Sequence, residues 1–157
     1  TIGLVMNTER CTLRCYLADT GLLVSLAFSE RGKMPTEVYE RILHGKLEAN
    51  LGMIMENIVA QMLVATGHQL FFYNHSDRED ASNNMEIDFL ITKSKITSRK
   101  NISPIEVKSS NRFTTTSLDK CINKFSQSIG ESYVLHTNDV TILDNITYLP
   151  LYMAGLL

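Results

Sequence analysis

Four residues carry types and spacings suited to chemistry: Glu56, Asp88, Glu106 and Lys108. Asp88 lies in Met85–Thr92 (MEIDFLIT), and Glu106 and Lys108 lie in Ile102–Lys108 (ISPIEVK); both segments read as strands. Alternation puts Glu86 and Asp88 on one face of their strand and Ile87 and Phe89 on the other. It also puts Glu106 with Lys108, and Ile105 with Val107. If the strands pair, Asp88, Glu106 and Lys108 meet on one face of a sheet. An acid amid apolar residues is costly unless it is paired or binds a cation. Two converging acids repel, so one proton or one metal ion belongs between them. Magnesium suits such a site, because it takes oxygen ligands and is held by one or two carboxylates plus substrate phosphate. The ion would polarise a phosphoryl oxygen and acidify a bound water. A lysine beside it orients that water or stabilises charge on the phosphoryl group. The plainer alternative is an Asp/Glu–Lys salt-bridge cluster that only decorates a sheet.

Glu56 is the only charged residue in Leu51–Thr66. At helical spacing it is flanked by Gly52, Met53, Ala60 and Leu63, which let the helix approach another layer and bury the carboxylate. A buried Glu needs a partner. That partner is either the same cation, directly or through water, or a lysine or backbone amide.

The elements that must position these residues follow from periodicity. Thr12–Ala18 reads as a short strand with Leu13, Cys15 and Leu17 on one face. Asp19 then caps a short helix over Leu22–Phe28. Arg31-Gly32-Lys33 is a loop, and Thr36–His44 is a polar-faced helix entered through Pro35 and ended near Gly45. The strongest helix is Leu51–Thr66, with Asn50 as N-cap and Gly67 just past its end. Its apolar residues run almost all the way round, which predicts a buried helix. A strand over Gln69–Tyr73 and a polar loop over Asn74–Asn84 follow. The two acid-bearing strands, joined by Lys93–Asn101, form an extended hairpin. Pro104 predicts an edge or bulged position. Ser117–Phe125 is a helix, Ser132–His136 a strand, Val140–Leu143 a further short strand, and Tyr148 onward a terminal strand or helix. This order predicts an α/β layer architecture.

The order of Glu56 on a helix, Asp88 on a strand and Glu106-x-Lys108 on the next resembles the PD-(D/E)XK nuclease superfamily. The chain also resembles the domains of unknown function found C-terminal to AAA-type ATPase modules in bacteria and archaea. The segments that carry the resemblance are Cys15-Tyr16-Leu17-Ala18-Asp19-Thr20-Gly21-Leu22-Leu23, Glu56-Asn57-Ile58-Val59-Ala60, Glu86-Ile87-Asp88-Phe89 and Pro104-Ile105-Glu106-Val107-Lys108-Ser109. The resemblance implies a restriction-endonuclease-like core, a mixed central sheet flanked by helices, with a small N-terminal strand–helix extension. It implies residues 1–48 as that extension or the end of a linker from an ATPase module, and residues 49–157 as the nuclease-like domain. It implies Asp88 and Glu106 as direct ligands of Mg or Mn, with the Val107 carbonyl as a further ligand. Lys108 would position or activate the attacking water, and Glu56 would orient a metal-bound water or serve a second ion. Glu86 adds an acid outside the pattern. The chain has no G-x-x-x-x-G-K-[ST], so no ATP site of P-loop type is expected in it.

Lys93, Lys95, Arg99 and Lys100 form a basic patch that, with Lys108, Arg112, Lys120 and Lys124, could line a groove for a phosphate backbone. A solvated charged loop is the alternative. Asp77, Glu79 and Asp80 weaken the field. His44, His68, His75 and His136 show no ligand spacing and are read as surface or loop residues. Phe71, Phe72 and Tyr73 are read as core strand residues before base-stacking ones, and Met53, Met55 and Met62 as core filler.

The chain has 157 residues, 44% hydrophobic and 20% charged, about one domain with a real core. Its 15 Lys and Arg against 17 Asp and Glu give a net charge of −2. That excludes a generally basic DNA-coating protein, but not a local basic groove. Three cysteines without zinc spacing argue against a structural zinc site, and a reducing cytoplasm is the default compartment. No stretch reaches the ~20 apolar residues of a membrane span. The start at Thr1 reads as the tail of a longer ATPase. Two function classes follow. One is a metal-dependent nuclease acting on DNA. The other is a non-catalytic domain that binds protein or nucleic acid for the parent ATPase. DNA binding would be local and weak, and oligomerisation is left open.

Overall fold

The computed structural model describes Leu4 and residues 12–29, 35–44, 51–92 and 100–157. Its helices are α1 (Thr20–Phe28), α2 (Thr36–Leu43), α3 (Leu51–Ala65) and α4 (Thr116–Lys124). Its strands are β1 (Phe71–His75), β2 (Met85–Thr92), β3 (Ile102–Val107), β4 (Ser132–His136), β5 (Thr141–Leu143) and β6 (Ile146–Pro150). Short 3₁₀ turns cover Ala81–Asn83 and Leu151–Leu156.

The strands form one sheet in the order β1-β2-β3-β4-β6-β5. β1, β2 and β3 run antiparallel, β3, β4 and β6 run parallel, and β5 closes the far edge as a hairpin with β6. The mixed sheet with helices bears out the α/β architecture. Two apolar clusters fill its two faces. Val59, Ala60 and Leu63 of α3 pack on Phe89, Ile91, Ile105, Val107 and Leu135. Leu118 and Cys121 of α4 pack on Met85, Ile87, Leu90, Val134 and Ile146.

Local chemistry sets the ends of the elements. Asp19 Oδ1 accepts from the Leu22 N–H at 2.8 Å and caps α1. Gly67 takes φ +91° just past α3. There the His68 N–H reaches the Leu63 carbonyl at 2.9 Å and the Gly67 N–H reaches Val64 at 3.0 Å. The expected cap Asn50, the loop Arg31–Lys33 and Gly45 lie outside the described residues.

Several expectations are corrected. Thr12–Ala18 is not a strand; its main chain joins no ladder. Instead the buried Asn57 side chain takes both main-chain groups of Leu17, accepting from its N–H at 2.8 Å and donating to its carbonyl at 3.0 Å. One amide side chain thus does what a neighbouring strand would have done. α3 is not buried all round: Met53, Ile58 and Val64 are exposed, because only the sheet-facing side meets the core. β1 lies two residues later than expected. Pro104 is buried in β3, a central strand. Main-chain groups alternate between the two neighbours of a strand. Ile102 and Lys108 bond on the β4 side, so Pro104 turns its ring nitrogen that way too. There it falls between the Ile102–Gly130 bond and the ladder that begins at Ile105↔Tyr133. The missing donor therefore breaks no ladder bond.

Candidate active site

The acids collect where β2 and β3 part. Their antiparallel ladder runs from Thr92↔Ile102 to Phe89↔Ile105 and stops. A β-bulge is the cause. β1 pairs Phe71 with Leu90 and then Tyr73 with Ile87, so β2 carries one extra residue at Asp88–Phe89. The bulge overturns the expected shared face of Ile87 and Phe89: Ile87 packs beneath α4 and Phe89 beneath α3.

Asp88 fills the opening. Its Oδ2 accepts from the Val107 N–H at 2.8 Å, a bond that a β2 carbonyl would have taken had the ladder continued. Its Oδ1 lies 3.4 Å from Arg14 Nη1. Arg14 is the residue that sequence reasoning missed. Its guanidinium pairs closely with Glu86, approaches Asp88, and lies 3.8 Å from Glu56. It also sits over the Phe72 ring, 5.0 Å from the centroid. Asn57, the second missed residue, pins the strap that carries Arg14. It also donates to Thr20 Oγ1 at 2.9 Å. Tyr16, two residues on, packs its ring on Phe89. Both residues left a signal. Arg14 is a lone cation in an apolar alternation, and Asn57 is an uncharged polar residue within an apolar helix.

Glu106 stands apart from this group. Its neighbours Ile105 and Val107 belong to the α3 layer, so alternation turns Glu106 toward α4. It is 2% exposed. Lys108 Nζ lies 2.7 Å from its Oε2, and the Leu118 N–H in the first turn of α4 also favours its charged form, while among the described residues nothing lies within hydrogen-bond distance of Oε1. Asp88, Glu106 and Lys108 therefore do not share one face, although alternation alone predicts it, but they border the same opening, where the charge of Lys108 acts on Asp88 and Glu56 as well as on Glu106. Asp88 opens toward Arg14 and α3, and Glu106 toward α4.

Electrostatics tie the two halves together. Burial pushes Asp88, Glu56 and Glu106 above the ordinary carboxylate range. The Val107 N–H and Arg14 work against the rise at Asp88, and Lys108 against it at Glu106. The charge of Asp88 adds to the rise at both glutamates. Glu56 is half-buried rather than enclosed, and its partner is the arginine. Cys121 beneath the sheet is pushed up to about 11, first by burial and then by Glu106, so it stays a thiol.

Of the predicted basic residues, Lys108 meets an acid of the site, Glu106, and Lys100 is exposed just before β3. Lys93, Lys95 and Arg99 lie outside the described residues. Lys120 donates to the carbonyls of Ser82 and Asn84, where it braces a turn. Lys124 lies over the Phe125 ring, and Arg112 is exposed beyond β3. Asp77 and Asp80 accept from main-chain amides of the same loop, and Asp77 also from the Asn83 side chain. His136 is buried on β4 against Phe113 and Tyr148, not on the surface. Among the described residues, no group of three or more His, Cys, Asp or Glu side chains is disposed to hold a metal ion. A cleft of about 1420 Å³ opens beside Arg14 and Asp88, lined by Tyr16, Phe72, Tyr73 and Phe89 among others.

Fold and site together define a mixed α/β domain with a bulged hairpin at the centre of its sheet and an acid–base cluster at the hairpin's open end. The chain belongs to a family described as a domain of unknown function (DUF4143), which it matches over residues 51–153. Arg14 and its strap lie before the matched span. No curated protein and no solved structure matches the chain. No helix among the described residues is long and apolar enough to cross a membrane.

Proposed function

We propose that this domain is a divalent-metal-dependent phosphodiesterase of the PD-(D/E)XK type, acting on DNA and serving an AAA-type ATPase module of its parent chain. One observation carries the reading: Asp88 and Glu106-x-Lys108 flank the point where the central hairpin opens. Each acid keeps an oxygen available there. Among the described residues, Glu106 Oε1 has no atom within hydrogen-bond distance, and Asp88 Oδ1 has the long contact to Arg14. The N–H and C=O of one strand residue point the same way, so the Val107 carbonyl also faces the opening. This donor set, all hard oxygen, fits Mg or Mn. Asp88, Glu106 and the Val107 carbonyl would hold the ion. A bound divalent ion supplies charge to a phosphoryl oxygen and acidity to a coordinated water.

The chain's own residues do the rest. Lys108 is held at the opening by Glu106 and presents an ammonium to the scissile phosphate or to the attacking water. Glu56 would orient that water, accepting its proton, or serve a second ion. Burial of all three acids favours any partner that brings positive charge.

A second reading rests on Arg14. Its contacts to Glu86, Asp88 and Glu56 neutralise the cluster without metal. In that case the same residues are a structural network in a domain that binds protein or nucleic acid. The test is cleavage of plasmid and single-stranded DNA in Mg or Mn. Asp88→Ala and Lys108→Ala, shown to be folded by circular dichroism, abolish cleavage under the first reading. Cleavage that survives both removes the site assignment. DNA affinity that falls with salt and yields no products selects the second.

A further inference from the structure

We infer that Arg14 is an exchangeable cation of this site: it neutralises Asp88 until a divalent ion takes that carboxylate, and then turns its guanidinium to the phosphate of the substrate. The inference rests on the metal-site reading above and assigns a role to a residue that reading leaves unused.

The argument starts from charge. Oδ2 of Asp88 is taken by the Val107 N–H, so a guanidinium and a divalent ion compete for Oδ1, and they repel each other at such range. Entry of the ion must therefore loosen Arg14. Its contact to Asp88 is the kind that is easily surrendered, 3.4 Å and not paired oxygen for nitrogen, and that to Glu56 is longer still at 3.8 Å. The close contact is to Glu86, which is more than half exposed. Exposed pairs are worth little and exchange readily.

Geometry keeps the released side chain at the site. The strap is fixed at Leu17 by Asn57 and at Tyr16 by Phe89. Phe72 supports the guanidinium from one side. The head group then has the cleft in front of it. A planar fork of N–H donors matches two oxygens of a phosphate, a role a lysine does not reproduce. Metal and phosphodiester thus bind with positive coupling, and the coupling runs through one side chain.

The test measures binding, not cleavage. Mn²⁺ affinity is read by electron paramagnetic resonance of the free ion, with and without dimethyl phosphate, a phosphodiester anion that scarcely chelates the metal. In the unaltered protein, dimethyl phosphate raises Mn²⁺ affinity about fivefold, a typical coupling between sites. Arg14→Gln binds Mn²⁺ alone about fivefold more tightly, and dimethyl phosphate no longer changes it. Arg14→Lys keeps Mn²⁺ affinity within about twofold of the unaltered protein and loses most of the enhancement. It serves as the readout if the glutamine variant loses its circular dichroism spectrum. Unchanged Mn²⁺ affinity in Arg14→Gln, or full enhancement in either variant, overturns the inference and leaves the metal site standing. No Mn²⁺ binding by either the unaltered protein or Arg14→Gln overturns the metal reading and the exchange together.

Discussion

Asp88 Oδ2 accepts the Val107 N–H at 2.8 Å, a carboxylate standing where a strand carbonyl would otherwise close the ladder. This one bond lets the central hairpin open without leaving a main-chain donor unpaired. It also places an acid in the plane of the sheet, between the Arg14 cluster and the Glu106–Lys108 pair.

The Glu106–Lys108 pair is largely enclosed, and its two members should not be removable singly at equal cost. Lys108→Met strips the partner from a buried carboxylate and should cost about 2–4 kcal/mol at neutral pH. Adding Glu106→Gln to it should recover most of that loss. Urea unfolding of the two singles and the double gives the coupling. Additive effects would mean the pair does not act as a unit.

Stability should carry a pH signature of the site. Asp88, Glu56 and Glu106 are raised above their ordinary range, mainly by burial. For a carboxyl whose folded pKa is raised, the folded state holds its proton to higher pH than the unfolded chain does. Stability therefore falls as pH rises from the ordinary carboxylate range through the folded pKa. Glu106→Gln removes one such group. It should melt above the unaltered protein at neutral pH, and the gap should close below the ordinary carboxylate pKa. A gap independent of pH would show that Glu106 contributes no proton linkage.

Asn57 holds the strap through three hydrogen bonds, to both main-chain groups of Leu17 and to Thr20 Oγ1. Asn57→Ala should cost about 1–3 kcal/mol. It should also speed amide exchange at Leu17 more than at Ile105 in the core. Equal protection at both positions would mean the strap is held by something other than Asn57.

Gly67 adopts φ +91°, a conformation that side chains resist. Gly67→Ala should lower stability by about 1 kcal/mol, read as a shift of the urea midpoint at constant slope. A stabilising alanine would mean the C-terminal turn of α3 relaxes freely.

Lys120 and Lys124 share a helix face but should behave differently. Lys120 donates to the Ser82 and Asn84 carbonyls, and Lys124 makes no comparable bond among the described residues. Lys120→Ala should cost about 1 kcal/mol and loosen the Ala81–Asn83 turn, with Lys124→Ala within about 0.5 kcal/mol of neutral. Thermal melts of both variants decide it.

The sequence by itself determined most of the elements, the expected strand at Thr12–Ala18 being the exception. Period-two runs placed β2 and β4 to the residue, and the apolar run with Gly67 placed α3 and its end. These are local signals, set by side-chain alternation and by what a backbone conformation tolerates. Asp88, Glu106 and the cation Lys108 were legible because charges in or beside apolar strands are conspicuous. Their arrangement was not legible. Strict alternation placed Asp88 and Glu106 on one face, and a single extra residue at Asp88–Phe89 set them apart. A bulge is fixed by how two strands pair, and no one strand encodes it. Arg14 lay hidden for the same reason. It is 74 residues from Asp88 in the chain, and only the packing of its strap on α3 brings a lone arginine to three carboxylates. Tertiary structure alone decided which cation answers those acids, because long-range charge pairing depends on distance in space and leaves no periodic trace in sequence.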